Sequence, residues 1–225
     1  MKSTAMLLYY ITNRTSFLGT AAHQYAALLR RVADAARAGV DYIQLREKDL
    51  TARELERLAH EAVQAVRNNS PITKLLINGR TDVALASGAA GVHLPTGELS
   101  ASEVRAVWHQ CTDANPLVGV SAHTMDDVRC AYSRGADFVV LAPIFEKVNT
   151  GAMGIGLEAL RAACAGLDSV GDAVPYHCRF AVLGLGGITL ANAPACIQAG
   201  AAGVAGIRLF QQGDVFETVR RLKEL

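Results

Sequence analysis

The chain has 225 residues, of which 51% are hydrophobic and 19% charged, a composition typical of globular proteins and unlike that of disordered ones. The net charge of +1 gives no basic excess that would favour nucleic acid or an anionic membrane as a partner. No apolar run reaches the roughly 18 residues of a membrane span, and Met6–Ile11 is too short for a signal peptide. Five scattered cysteines without a CxxC pair fit single thiols in a reducing compartment. We therefore expect a cytoplasmic protein without nucleic-acid or membrane partners.

A short phrase recurs four times, in which a glycine after a helical pattern is followed by an apolar run. Glycine ends a helix in a left-handed conformation, and a strand then begins within two or three residues. The first three repeats are spaced at about twice the length of one βα unit, so the phrase marks every second unit. The four repeats begin at Ala38-Gly39, Ser87-Gly88, Arg134-Gly135 and Ala199-Gly200.

Eight short segments have the continuously apolar character of parallel strands that are covered on both faces. They are Met6–Ile11, Asp41–Leu45, Lys74–Asn78, Gly91–Leu94, Leu117–Ser121, Phe138–Leu141, Phe180–Gly184 and Gly203–Gly206. Amphipathic helical patterns lie between them, and several begin with a capping pair. These pairs are Thr51 with Glu54, Ser100 with Glu103, Thr124 with Asp127, and Thr189 with Asn192.

Eight strands that alternate with helices predict one α/β domain, a (β/α)8 TIM barrel over residues 1–225. The alternative is a doubly wound open sheet, which usually has fewer strands and a glycine-rich turn after the first strand. The residues after Ile11 read TNRT and contain no such turn, so we favour the barrel.

In such barrels the loops that follow the strands build the active site. Gln44, Arg46 and Lys48 end the second strand and share one side of an extended segment. Two cations aimed at one place suit a phosphate or a carboxylate. The alternative is a solvated rim, in which these cations pair with Glu47 or Asp49.

A second candidate site follows the seventh strand, at Gly186 and Gly187, just before the helix predicted at Thr189. Adjacent glycines at a helix start expose backbone N–H groups to a phosphate. Gly206 and Ile207 follow the eighth strand and would complete the common barrel phosphate site. The alternative is a tight turn without a ligand.

His123 follows the fifth strand and is our candidate acid and base, because imidazole exchanges protons near neutral pH. A lone histidine is more often structural, and His93 also follows a strand. Asn78, Ser121 and Lys147 lie at or beyond the ends of further strands, and we predict that they contact substrate.

Taken together, these segments resemble the thiamine phosphate synthase/thiazole tautomerase family. The resemblance covers nearly the whole chain, and it implies a single (β/α)8 barrel that acts in thiamine biosynthesis on a small phosphorylated thiazole. The matching segments are Tyr10-Ile11-Thr12, Gln44-Leu45-Arg46-Glu47-Lys48-Asp49, Ile77-Asn78-Gly79-Arg80-Thr81-Asp82-Val83-Ala84, Gly91-Val92-His93-Leu94, Gly119-Val120-Ser121-Ala122-His123-Thr124, Gly135-Ala136-Asp137, Pro143-Ile144-Phe145, Gly186-Gly187-Ile188 and Ala199-Gly200-Ala201-Ala202-Gly203-Val204.

The family's synthase joins a pyrimidine diphosphate to a thiazole phosphate, with Mg²⁺ held by two aspartates after the third and fourth strands. Here Gly79 stands at the first position, and Glu98 lies near the second. Glycine supplies no side-chain oxygen, whereas Mg²⁺ requires oxygen ligands. The synthase's Thr-x-Thr-Lys loop is also absent after Phe145.

These departures resemble the tautomerase (TenI-type) branch, which aromatises a carboxythiazole phosphate by proton transfer and needs no metal or other cofactor. In that case the two glycine loops would hold the phosphate, Arg46 and Lys48 the carboxylate, and His123 would move the proton. We therefore expect a metal-independent thiazole tautomerase, an isomerase.

Two alternatives remain at this point. The first is a thiamine phosphate synthase, a transferase in which Glu98 holds Mg²⁺. The second is a catalytically silent barrel that binds thiamine intermediates. The oligomeric state, including a homo-oligomer, and the role of the insertion at 165–178 stay open.

Overall fold

A computed structural model describes residues 6–146, 153–168 and 180–225. Eight parallel strands pair in chain order, and the last strand pairs with the first, so that they close a barrel. This confirms the predicted (β/α)8 fold. The strands are β1 (Leu7–Ile11), β2 (Tyr42–Leu45), β3 (Lys74–Asn78), β4 (Gly91–Leu94), β5 (Leu117–Ala122), β6 (Phe138–Leu141), β7 (Ala181–Gly184) and β8 (Gly203–Gly206).

Helices surround the barrel and follow the strands. The helices are α1 (Ala21–Ala38), α2 (Ala52–Asn69), α3 (Thr81–Ser87), α4 (Ala101–Trp108), α5 (Met125–Ser133), α6 (Gly156–Asp168), α7 (Ala193–Gln198), α8 (Arg208–Gln211) and α9 (Val215–Lys223). The recurring glycines lie just after α1, α3, α5 and α7, and all four have positive φ angles. A membrane-crossing helix is absent from the described part of the chain, because none of its helices combines sufficient length with an apolar sequence.

The capping pairs predicted for three helices are present. Thr51, Ser100 and Thr124 each accept a hydrogen bond from the backbone three residues later, and the acidic side chain there bonds back to the cap. Each pair satisfies two backbone N–H groups that a helix start would otherwise leave without partners.

The helix predicted at Thr189 is wrong, because α7 begins at Ala193. The backbone N–H of Thr189 instead donates to Oδ1 of Asn192 at 2.7 Å, within a turn. Pro194 is the second residue of α7. Proline deeper in a helix would lack its N–H and clash with the carbonyl four residues earlier, so the helix starts only just before it.

Two apolar cores lie on opposite faces of the strands, because successive side chains in a strand alternate. Tyr9 packs inside the barrel, while Tyr10 packs outward beneath the helices. Gly119 makes room for the interior ring of Phe138, since a Cβ at Gly119 would lie 2.3 Å from that ring. Most of the insertion at 165–178 lies outside the described residues, because α6 ends at Asp168 and the description resumes at 180.

Candidate active site at the barrel mouth

All eight strands end at one mouth of the barrel, because they are parallel. Arg46, Asn78 and Ser121 lie at or just beyond the ends of β2, β3 and β5, and the glycine loops follow β7 and β8. The structure thus brings these predicted residues to one end of the barrel. Lys147 lies outside the described residues.

Arg14, in the loop after β1, binds both acidic residues that could have neutralised the cations of β2. Its guanidinium contacts the Asp49 carboxylate through two hydrogen bonds of 2.6 and 2.7 Å and lies 3.3 Å from Oε2 of Glu47. Within the described residues, neither Arg46 nor Lys48 forms an ion pair. The structure therefore does not support the alternative of a solvated rim in which these cations pair with Glu47 or Asp49.

Arg46 and Lys48 line one cavity of about 310 Å³ at the mouth, together with Asn13, Thr15 and the two acidic residues that Arg14 binds, Glu47 and Asp49. Arg46 is half-buried and Lys48 exposed. Because Arg14 pairs with the acidic residues of this cavity, its other two cations suit an anion, and the planar guanidinium fits a phosphate or carboxylate with two hydrogen bonds. Gln44, two residues before Arg46, is buried.

The amide nitrogen of Gln44 donates a hydrogen bond of 3.0 Å to the hydroxyl of Tyr9, inside the barrel. Tyr9 was not among the site residues predicted from the sequence. Tyr9 in turn lies 3.2 Å from Nδ1 of His93, and Nε2 of His93 lies 3.0 Å from Oγ of Ser121. Burial lowers the pKa of His93 to about 3, and the nearby charge of Arg46 acts in the same direction. His93 is therefore neutral at pH 7. Strand alternation was the signal that could have placed Tyr9 beside these groups.

The glycine loop after β7 packs tightly on the loop after β6. Gly186 and Gly187 have φ angles of +98° and +65°, and a Cβ at Gly187 would lie 2.8 Å from a backbone oxygen of Glu146. The backbone N–H groups of Ile144 and Phe145 donate to the carbonyls of Leu185 and Gly186 at 2.8 and 3.0 Å. Glycine is needed here for both conformation and space.

The helix start expected directly after Gly187 is wrong, whereas the one expected after Gly206 is present, because Ile207 is the N-cap of α8. The turn at Thr189 separates Gly187 from α7, which has six residues, and the helix after Gly206 and Ile207, α8, has four. Phosphate binding at these loops stays a prediction that rests on their backbone N–H groups alone.

His123 lies exposed beyond the end of β5. Its Nδ1 is 2.9 Å from the carbonyl oxygen of Ala142, and its backbone N–H donates to Asp127 at 2.9 Å. A carbonyl only accepts hydrogen bonds, so Nδ1 carries a proton in this contact. The catalytic role of His123 stays a prediction.

Gly79 and Glu98 adjoin each other where the resemblance places Mg²⁺. A Cβ built at Gly79 would lie 3.6 Å from Oε2 of Glu98, and no cluster of three or more potential metal-binding side chains occurs among the described residues. Proteins usually hold Mg²⁺ through one or two carboxylates plus substrate phosphates. The residues present fit Mg²⁺ if Glu98 supplies one carboxylate ligand and the phosphate oxygens of a substrate supply others.

Solved structures share this architecture. The thiamine phosphate pyrophosphorylase of Pyrococcus furiosus superposes with a TM-score of 0.76 and 26% identity, over 97% of this chain and 94% of that one. The thiamine phosphate pyrophosphorylase of Bacteroides thetaiotaomicron has a TM-score of 0.63 at 20% identity, over 97% of this chain and 96% of that one, and supports the fold alone.

Curated relatives correct the expected activity. The chain is 36% identical to the thiamine-phosphate synthase of Moorella thermoacetica, over 88% of this chain and 87% of the relative. It is 34% identical to that of Methanoculleus marisnigri, over 96% and 93%. These names contradict the expected thiazole tautomerase, which is wrong, and they favour the synthase alternative. The expectation gave too much weight to Gly79, since Mg²⁺ also takes oxygen ligands from substrates.

A family model described as thiamine monophosphate synthase matches residues 8–210. The match extends from β1 to α8 and includes every strand of the barrel. The chain therefore belongs to the thiamine monophosphate synthase family of thiamine biosynthesis enzymes.

Proposed function

We propose that this protein is a transferase that joins a pyrimidine diphosphate to a thiazole phosphate. The bond from the pyrimidine's methylene carbon to diphosphate breaks, a bond from that carbon to the thiazole nitrogen forms, and diphosphate leaves. The observation that carries the proposal is the identity of 36% over 88% of the chain to a relative named thiamine-phosphate synthase.

The charge pattern at the mouth supports substrates that carry phosphate. Because Arg14 holds Glu47 and Asp49, the charges of Arg46 and Lys48 are available to a ligand in their shared cavity. Charge-assisted hydrogen bonds to a phosphate are roughly twice as strong as neutral ones. These two residues would bind the diphosphate and stabilise the negative charge that builds up as it leaves.

The loops after β7 and β8 would bind the second substrate through its phosphate, with the backbone N–H groups near Gly187 and Gly206 as donors. Two separate anion sites at one mouth would hold the two reacting molecules side by side. Such positioning replaces a bimolecular encounter by an intramolecular step, which is a large part of the catalysis of a two-substrate reaction.

Glu98 would hold Mg²⁺ together with the phosphate oxygens of the diphosphate, and the ion would supply charge neutralisation of that leaving group. Glu98 is exposed and adjoins Gly79, so its carboxylate is accessible to a ligand at the mouth. Asn78, at the end of β3, would face the same substrate.

The test is to incubate the protein with both substrates and Mg²⁺ and to measure thiamine phosphate by mass spectrometry. We expect product only when both substrates are present, and a strong decrease in the Arg46→Gln variant. Binding of thiazole phosphate without any product would overturn the proposal and indicate a catalytically silent barrel.

A further inference from the structure

A chain of four hydrogen-bonded side chains crosses the barrel interior from β2 to the mouth. It runs from Gln44 through Tyr9 and His93 to Ser121, with successive distances of 3.0, 3.2 and 3.0 Å. The first three side chains are at most 3% exposed, whereas Ser121 is half-buried. Four separate strands supply these residues, so the barrel closure itself holds the chain of hydrogen bonds together.

This chain of hydrogen bonds from Gln44 to Ser121, called the relay below, has a direction that its donors and acceptors set. The Gln44 amide nitrogen donates to the Tyr9 oxygen, and the single hydroxyl proton of Tyr9 is then left for Nδ1 of His93. A neutral imidazole has one donor and one acceptor nitrogen. Since Nδ1 accepts, Nε2 carries the proton and donates to Oγ of Ser121. The neutrality of the ring follows from its complete burial, which lowers its pKa to about 3.

Because the Ser121 oxygen accepts a hydrogen bond from His93, the hydroxyl proton of Ser121 is left for another partner. The backbone carbonyl of Ser121 is already bonded to the hydroxyl of Thr96 at 2.7 Å, which fixes this end of β5 to the loop after β4. Arg46 lies close enough to His93 for its charge to act on that ring. The Ser121 hydroxyl therefore lies at the end of the relay nearest the mouth, and Arg46 adds a cation at the same mouth, just beyond the end of β2.

We propose that Tyr9 and His93 are positioning residues, which orient the Ser121 hydroxyl as a hydrogen-bond donor to an anionic oxygen of the bound substrate. The identity of that substrate rests on the proposed function, whereas the direction of the relay does not. The opposite direction would require the Gln44 amide to be turned. In that case His93 would carry its proton on Nδ1, and the Ser121 hydroxyl would donate its hydrogen bond to Nε2.

The two directions place the ring proton of His93 on different nitrogens. ¹⁵N NMR of the His93 ring at pH 7 therefore distinguishes them. The resonance is assigned by its loss in His93→Gln. We expect the proton on Nε2 in the wild type, and a detectable Nδ1-protonated form in Tyr9→Phe, which lacks the donor. Tyr10→Phe is the matched control, because Tyr10 is equally buried but donates to Gln211 outside the relay; its His93 signal should not change. A wild-type ring protonated on Nδ1 would overturn the proposal, even if Tyr9→Phe fails to fold.

A double-mutant cycle then tests whether Tyr9 acts through Ser121. Ser121→Ala should lower kcat/KM by about tenfold to a hundredfold, the loss of one oriented hydrogen bond to a charged oxygen. Tyr9→Phe should lower it by no more than that, and the double variant should match Ser121→Ala. Losses that multiply would overturn the proposal. If the wild type makes no thiamine phosphate, the proposed function fails separately, and the cycle is measured on the dissociation constant of inorganic diphosphate, with the same two outcomes.

Discussion

Gly79 and Glu98 adjoin each other at the barrel mouth, and a Cβ at Gly79 would lie 3.6 Å from Oε2 of the Glu98 carboxylate. A side chain at position 79 would therefore extend directly beside that carboxylate. The chain thus keeps one carboxylate where its family resemblance implies two. Because Mg²⁺ commonly completes its shell with substrate phosphates and water, a single carboxylate would weaken the proposed metal site without abolishing it.

Gly79→Asp should therefore strengthen Mg²⁺ binding, by roughly tenfold if the new carboxylate contributes about 1.4 kcal/mol. Aspartate tolerates the left-handed conformation better than most residues, and φ at Gly79 is +65°. Isothermal calorimetry with Mg²⁺ and inorganic diphosphate measures the change. Gly213→Asp is the control, since Gly213 has nearly the same φ of +64° and lies beyond α8. Equal Mg²⁺ affinity in the two variants would show that position 79 does not face the metal.

Arg46→Gln should weaken binding of inorganic diphosphate by about tenfold to a hundredfold, because a hydrogen bond to a charged group contributes roughly 1.5–3 kcal/mol. Lys48→Gln should weaken it less, since Lys48 is exposed and its charge is better screened. Titrations at two salt concentrations measure both effects. The control is Arg57→Gln, whose cation is exposed and paired with Glu61 on α2. The same loss of affinity in the control would mean that net charge matters and the cavity does not.

Gly187→Ala should both destabilise the protein and weaken thiazole phosphate binding. The strained φ costs about 1–2 kcal/mol, and the new Cβ would approach Glu146 and Phe145 at 2.8 Å, which displaces the loop after β6. Gly213→Ala has the same strain, but no atom lies within 4 Å of its Cβ. Urea unfolding and calorimetry of both variants separate strain from steric displacement. Unchanged affinity in Gly187→Ala would remove this loop from the phosphate site.

His93 should make the protein sensitive to acid. Its pKa is lowered to about 3 in the folded state, against about 6.5 for the unfolded chain. The stabilisation is therefore complete above pH 6.5 and is lost as the pH falls toward 3. Between pH 7 and 4.5, the free energy of unfolding of His93→Gln should fall by roughly 2 kcal/mol less than that of the wild type. Urea unfolding measures it, with the exposed His60→Gln as control. Equal falls in His93→Gln and wild type would contradict the burial of a neutral ring.

The strands could be predicted well, because their continuous apolar runs end at glycine and polar residues. The bounds of β3, β4, β6 and β8 match the structure, and the other strands differ by one residue at one end. The helix at Thr189 could not be placed correctly by its capping pair, since Pro194 limits where a helix can begin. Local sequence signals therefore predicted the ends of an element correctly where no residue such as proline overrode them.

The pairings at the site were beyond the sequence, because they join distant positions. Arg14 and Asp49 are 35 residues apart, and Tyr9 and His93 are 84 apart. Alternation in β1 could place Tyr9 inside the barrel, but which ring it meets depends on how the strands close. The sequence likewise placed Arg46 and Lys48 together, whereas only the structure shows that Arg14 binds their acidic neighbours.

We propose that the chain transfers a pyrimidine group to thiazole phosphate, and ³¹P NMR of one reaction mixture tests this claim. With both substrates and Mg²⁺, the pyrimidine diphosphate signals should disappear while inorganic diphosphate and thiamine phosphate appear in equal amounts. Chelation of Mg²⁺ should stop this reaction, and Glu98→Gln should require more Mg²⁺ for the same rate. Unchanged pyrimidine diphosphate after prolonged incubation with Mg²⁺ and folded wild-type protein would contradict the claim.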